Sequence, residues 1–306
     1  MADAEPRLRR AGAGSWLLLA VGVAAVSTSG PLIAAIAAPA LAIAFWRNAL
    51  ASAVLGPVTA VRRRDEVAGL DRRTVGGCLL AGVLLAAHFA TWVPSVTMTS
   101  VATSTALVST LPIWTALFAA ATGRRVGALG WAGVLLAVTG AVLMTGADLA
   151  VSARALAGDA LALTGGFFAA AYVTVGERIR RTVSTTVYTT ICYPACALLL
   201  LVACLVSGAR LGGYPASSWL LLLALTVGPQ FLGHSVINRV LSALPATVVG
   251  VAILLEVPGA ALLALVFLDQ RPPTLAVPGI VVLLAGLALV VLTLREARHP
   301  EAAAEL

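Results

Sequence analysis

The sequence predicts an all-α membrane protein: ten transmembrane helices arranged as two inverted five-helix repeats. Three observations carry that prediction. Of 306 residues 60% are apolar and only 11% charged, with a mean hydropathy of +1.00, against about 25% charged in a soluble domain. Ten apolar runs reach or approach the roughly 20 residues that span a hydrocarbon core. And the chain laid on itself at an offset of 146 residues brings like residues together.

The runs fall near 15–36, 39–60, 74–93, 97–120, 127–146, 156–176, 184–207, 216–238, 245–268 and 273–294. They lack the alternation a barrel needs, so helices are the remaining way to satisfy the backbone in lipid. The first, within "RLRRAGAGSWLLLAVGVAAVSTSG", has the basic start and apolar core of a signal peptide. No A-x-A site follows it, and it reads as the first membrane helix.

The formal charge of +7 comes from 20 Arg with no Lys. The arginines stand in short clusters between apolar runs, which is the pattern of membrane orientation and not of nucleic-acid binding. With the N-terminus in the cytoplasm, sixteen arginines fall inside and three (Arg154, Arg210, Arg271) outside. The positive-inside rule then puts both termini in the cytoplasm of a multi-pass inner or plasma membrane protein. Residues 14–148 and 156–294 form the two repeats, and 1–13 and 295–306 the cytoplasmic tails. The four cysteines (Cys78, Cys192, Cys196, Cys204) all lie in apolar segments and read as small buried residues.

At the 146-residue offset Gly30 meets Gly176, Gly82 meets Gly228, His88 meets His234, Pro112 meets Pro258, Gly133 meets Gly279 and Gly140 meets Gly286. Each half holds five helices. Five is odd, so the second half enters the membrane from the opposite side. Inverted repeats of this kind point to a transporter that alternates access around a site at the repeat interface.

The stretches "HFATWVPSVTMTSVATSTALVSTLPIWTALFAAATGRR" and "GHSVINRVLSALPATVVGVAILLEVPGAALLALVFLDQR" resemble the paired signatures of the drug/metabolite transporter superfamily, EamA type. The resemblance covers nearly the whole chain. It implies ten helices about a pseudo-twofold axis in the membrane plane, the fifth and tenth at the periphery, and secondary transport, most often export, of small metabolites. Two positions depart from the family pattern. Gly123-Arg124-Arg125 stands where the family often has Gly-Glu-Arg, and the Glu-Pro step of the ninth helix is stretched to Glu256-Val257-Pro258.

The residues themselves supply candidates for the site. Arg47 in the second segment and Glu256 in the ninth are the formal charges expected well inside the membrane, where each costs about 2.5–3.5 kcal/mol on insertion scales unless partnered. Helix rise puts Glu256 about 16 Å from one face and Arg47 about 12 Å from the other. Either they form a buried pair that locks two helices, or they line a cavity where Glu256 takes a proton or a cationic group. Pro112 and Pro258 occupy equivalent places in the fourth and ninth helices, and each frees backbone carbonyls by kinking its helix. Thr110 and Glu256 precede them and are repeat-equivalent. His88 with Trp92, and His234 with Asn238, are i, i+4 pairs at mirrored depths. They suit either the two ends of a translocation path that relays protons or caps on helix carbonyls. Trp46, Trp92, Tyr172 and Tyr193 add aromatic surface suited to an amphipathic substrate, such as an aromatic or branched amino acid or a cationic drug. Gly127, Gly130, Gly133, Gly140, Gly279 and Gly286 allow close helix approach, within the chain or in a homodimer.

A small-molecule transporter of the lipid bilayer, with proton coupling open, is therefore the leading expectation; no metal or other cofactor is expected. A lipid-carrier flippase shares the repeat and differs only in substrate. A membrane-embedded enzyme acting on a lipid-linked substrate needs clustered acids or histidines, and the chain offers one membrane acid and no phosphate-binding loop motif. A scaffold fits poorly with such short loops and tails.

Overall fold

A computed structural model describes residues 13–123, 126–149, 152–180, 182–233, 236, 249, 252–274 and 276–296, with no strand among the described residues. In chain order the helices are α1 (Ala13–Ser27), α2 (Ser29–Ala35), α3 (Ala40–Arg62), the short α4 (Arg64–Ala68), α5 (Arg72–Val96), α6 (Val101–Val108), α7 (Leu111–Ala121), α8 (Ala128–Leu149), α9 (Ala153–Ile179), α10 (Thr185–Ser207), α11 (Ala216–Leu225) running into a π-helical turn at Thr226–Gly233, α12 (Glu256–Leu268) and α13 (Ala276–Glu296). Eight rods among the described residues are long and apolar enough to cross a membrane, counting α1–α2, α6–α7 and α11 with its π turn as one rod each. Two further apolar helices, beginning at Ala128 and Glu256, are shorter over their described residues. Residues 1–12 and 297–306 of the expected tails, Arg124, Arg125, the end of the eighth segment at 238 and the start of the ninth at 245 lie outside the described residues, while 13 and 295–296 are helical.

Local chemistry sets the helix ends. Asp71, Ser100, Ser152 and Ser184 accept hydrogen bonds from the backbone N–H three residues on, at 2.8, 3.0, 3.1 and 3.3 Å, the N-cap arrangement that satisfies one orphan donor. At the other terminus Gly208 closes α10 at φ 68°, a left-handed conformation natural to a residue without Cβ. Large apolar side chains stand on the outer faces: Val206 is 84% exposed, Phe267 74% and Leu135 68%. Contiguous apolar surface of this kind needs a bilayer to cover it. All four cysteines are buried and free.

The halves interleave. α8 packs on α13, α3 on α10, and α6 on α12, each helix against its own repeat counterpart. α5 packs on α9, and the exchanged contact appears as the π turn of α11 against α1. A twofold relation between the halves produces this pattern. The α8–α13 contact is the closest. A Cβ on Gly140 would lie 2.3 Å from Leu283 N, and one on Gly286 would lie 2.3 Å from Ala137 N. Gly133 and Gly140 thus face α13 within the chain, whereas a Cβ on Gly127 would meet nothing within 4 Å.

Hydrogen bonds sort the loops into two ends. At one, Glu66 in α4 accepts from Ser184 N (2.7 Å) and Ser184 Oγ (2.9 Å). These bonds, the backbone N–H first, hold the Glu66 carboxyl below the usual carboxylate range. At the opposite end Ala37 N donates to Ser218 Oγ, Val101 N to Gln270 Oε1, and Arg154 Nη2 to the Thr97 carbonyl. The described arginines of 62–64, 72–73, 178 and 180 share the first, arginine-rich end.

Candidate functional site

Two helix breaks frame the interior. The fourth span breaks at Ser109–Thr110, between α6 and α7, and Pro112 is the second residue of α7. In the ninth span α12 starts at Glu256, with Pro258 in its first turn. Proline is tolerated there because the first-turn N–H groups have no helical acceptor. Thr110 and Glu256 are 146 residues apart, so the breaks occur at equivalent points of the two halves. Thr110 itself is committed to packing. Its hydroxyl donates to the Leu107 carbonyl at 2.7 Å, accepts from Trp114 Nε1 at 3.2 Å, and sits against Gly166 of α9.

The charged cluster lies among α3, α5, α10, α12 and the π turn. Arg47 is 2% exposed. Its Nε donates to Gln230 Oε1 at 3.1 Å, and its guanidinium carbon lies 4.3 Å from the centroid of the Phe89 ring, a cation–π contact. Its Nη1 is buried with no hydrogen-bond partner, a demanding state for a charged donor. Gln230 reaches Arg47 because Pro229 cannot donate to the helix ladder. The chain widens to π-helical spacing there, a feature that recurs at functional sites. Tyr193 lies beside both Arg47 and Gln230. Glu256 shares a helical stripe with Ala260 and Ala264, both buried in the core that includes Phe89, so its side chain is directed inward. It is within electrostatic reach of Arg47, yet no ion pair within 4.0 Å joins them among the described residues. Glu256 and Tyr193 are only partly buried, unlike Arg47. The arrangement can hold an anionic group at Arg47 and a cationic group or proton at Glu256, with aromatic faces between.

The other expected site residues are dispersed. His88 Nδ1 lies 2.9 Å from the Gly165 carbonyl of α9, so that nitrogen carries the proton, and the ring stacks on Trp92 at 5.5 Å and 20°. Trp92 is buried against Gly165. Trp46 turns to the end away from the arginines. Its Nε1 donates to the Leu211 carbonyl at 2.9 Å, and its ring meets Trp219 edge-on at 4.9 Å. Tyr172 pairs with Tyr188, ring centroids 6.2 Å apart, on the arginine-rich side. Of Trp46, Trp92, Tyr172 and Tyr193, Tyr193 lies in the charged cluster and Trp92 stands at its edge, its ring 6.4 Å from that of Phe89. His234 and Asn238 lie outside the described residues.

Three residues escaped the sequence reading. Gln230 and Phe89 complete the Arg47 environment but carry no charge to flag them. Asp159 is a buried acid towards the end of the bundle away from the arginine-rich loops. It sits in α9, 1% exposed, beside Gly158, whose own Cα packs on Met98 and Thr99. Its signal was present, an acid inside "LAGDALAL", but lay near the expected start of the sixth segment.

The EamA-like transporter family model matches the chain twice, over residues 14–146 and 156–292. A solved crystal structure aligns with a TM-score of 0.63 over 91% of this chain and 97% of that one, at 18% identity, which speaks to the fold alone. No curated protein matches. Two matches covering most of the sequence, one in each half of an interleaved helical bundle, place the chain in the EamA-like transporter family.

Proposed function

We propose that the protein is a secondary transporter that exports small amphipathic metabolites, amino acids among them, by alternating access around the Arg47 cluster. The observation that carries this reading is the buried Arg47 Nη1, a charged donor with no protein acceptor, across from an inward-directed, partly accessible Glu256. A substrate carboxylate fits the first and an ammonium group or a proton the second. Phe89 and Tyr193 supply apolar faces for the rest of the molecule. The paired breaks at Thr110 and Glu256 are the points where each half can bend as access alternates. The arginine-rich end faces the cytoplasm of the cell membrane, as the positive-inside rule favours.

The test is uptake by purified protein in liposomes, screened with radiolabelled amino acids, nucleosides and cationic dyes, with and without a pH gradient. Amino-acid uptake that depends on Arg47 is expected. Uptake confined to substrates without a carboxylate would overturn the assignment of Arg47. Because no ion pair ties Glu256 to Arg47, Glu256→Gln protein should fold, and it should lose the response to a pH gradient. If it unfolds and removal of Arg47 rescues it, the two charges form a lock and not a site.

A further inference from the structure

We propose that Trp92 reads the far end of the substrate: its indole N–H donates to an oxygen on a molecule whose carboxylate lies at Arg47. The role of Trp92 rests on the transport reading above and narrows its substrate class. The substrate is a carboxylate whose short apolar or aromatic body ends in an oxygen acceptor, such as a phenol, a ketone or an amide.

The indole is a donor with no acceptor in the protein. Trp92 is 5% exposed, and its Nε1 is buried without a hydrogen-bond partner. A buried indole N–H usually finds an acceptor, and leaving one unmet costs about 1–3 kcal/mol. The ring is firmly seated. It stacks on His88, whose Nδ1 donates to the Gly165 carbonyl at 2.9 Å. Gly165 also lets α9 come close, since a Cβ there would lie 3.0 Å from the Trp92 Cβ.

Its position joins it to the central cluster. The rings of His88, Phe89 and Trp92 form one aromatic surface: His88 lies 4.7 Å from Phe89 and 5.5 Å from Trp92, and Phe89 lies 6.4 Å from Trp92. The Arg47 guanidinium carbon stands 4.3 Å from the Phe89 centroid. It is therefore at most about 10.7 Å from the Trp92 centroid, a gap that a molecule of amino-acid size can bridge. Two buried donors without partners, Arg47 Nη1 and Trp92 Nε1, thus belong to side chains that flank one phenyl ring. A ligand with an acceptor at each end satisfies both, whereas a lone carboxylate at Arg47 leaves the indole unmet. Trp92 lies three residues beyond Phe89 on α5, about 4.5 Å further from the arginine-rich end. The oxygen-bearing end of the substrate therefore points away from the arginines.

Equilibrium dialysis of radiolabelled tyrosine and phenylalanine against the full chain in detergent micelles tests this, since the two differ by one oxygen at the end of the ring. Wild-type protein should bind tyrosine roughly 2- to 10-fold more tightly, the worth of one neutral hydrogen bond. Trp92→Phe keeps an aromatic ring and removes the N–H, so the ratio should fall to about one. Arg47→Gln should weaken both amino acids and keep the ratio. Should Trp92→Phe fail to fold, 4-aminophenylalanine decides the matter on the wild type. Its amine donates where the phenol oxygen accepts, so it should bind no better than phenylalanine. The role of Trp92 is overturned, with the Arg47 site left standing, by any of three results: tyrosine and phenylalanine bound alike by the wild type, a tyrosine preference that survives Trp92→Phe, or an amine that shares that preference. Binding indifferent to Arg47→Gln, or no binding of either amino acid, removes the central site and this role with it.

Discussion

Replacing Gly140 with Ala should separate α8 from α13. The new Cβ would lie 2.3 Å from Leu283 N, 2.6 Å from Leu283 Cα and 2.7 Å from the Gly279 carbonyl oxygen. All three are backbone atoms, so no side-chain rotation relieves the clash. Ordinary contact begins near 3.4 Å, and the helices must therefore part by about 1.1 Å along their closest line. Overpacking of this order typically costs about 1–3 kcal/mol. Gly286→Ala should cost a similar amount, because its Cβ would lie 2.3 Å from Ala137 N. The two changes should not add, since helices parted by one already make room for the other. Gly76→Ala is the control. It lies on an exposed face of α5 with nothing within 4 Å of its Cβ, so it should gain roughly 0.5–1 kcal/mol of helix propensity. Thermal unfolding of the purified variants in one detergent compares them. Gly140→Ala protein as stable as Gly76→Ala protein would show that α8 and α13 do not meet at these glycines.

Pro229→Ala restores a backbone donor, so the π turn should tighten towards α-helix and turn Gln230 off Arg47 by up to about 100°, one residue of helix rotation. Thermal stability should hold or rise while substrate affinity falls; unchanged affinity would mean the π turn has no part in the site. Glu66, whose carboxyl is held low by Ser184, contributes stability that is present above the ordinary glutamate value of about 4.3 and is lost as pH falls through its lower folded value. Glu66→Gln should cost about 0.5–1.5 kcal/mol near neutrality and flatten that acid-side loss in unfolding curves taken between about pH 3 and pH 7. An acid-side slope identical to wild type would assign it to other carboxylates. His88→Ala should loosen α5 from α9 by about 1 kcal/mol, one hydrogen bond to the Gly165 carbonyl, read as a lower unfolding temperature.

The repeat was legible in the sequence because its markers are residues with geometric consequences. Pro112 and Pro258 coincide with the two helix breaks, and Gly140 and Gly286 coincide with the closest helix approach. The site was legible only in part. Arg47 stands out as a charge within an apolar run, but its partners are an amide and a ring. Gln230 joins it only through the π turn at Pro229, and helical periodicity assumes a regular α-helix. Trp46 shares a helix with Arg47 as its immediate neighbour, and adjacent residues on a helix point about 100° apart, so the indole leaves for the Leu211 carbonyl. Asp159 lies inside the expected sixth segment but three residues from its start, where a charge reads as interfacial and draws no notice.

Counterflow of radiolabelled amino acid in proteoliposomes carrying wild-type or Arg47→Gln protein tests most directly whether the transported molecule binds at the bundle centre. The substitution removes the unpartnered Nη1 and the charge over Phe89 while leaving an amide that can still meet Gln230. Arg47→Gln protein that unfolds at the wild-type temperature should lose affinity for a carboxylate substrate by roughly 10- to 150-fold, the worth of a hydrogen bond to a charged group. Counterflow at wild-type affinity in that folded variant would contradict the assignment of Arg47 as the substrate-binding residue.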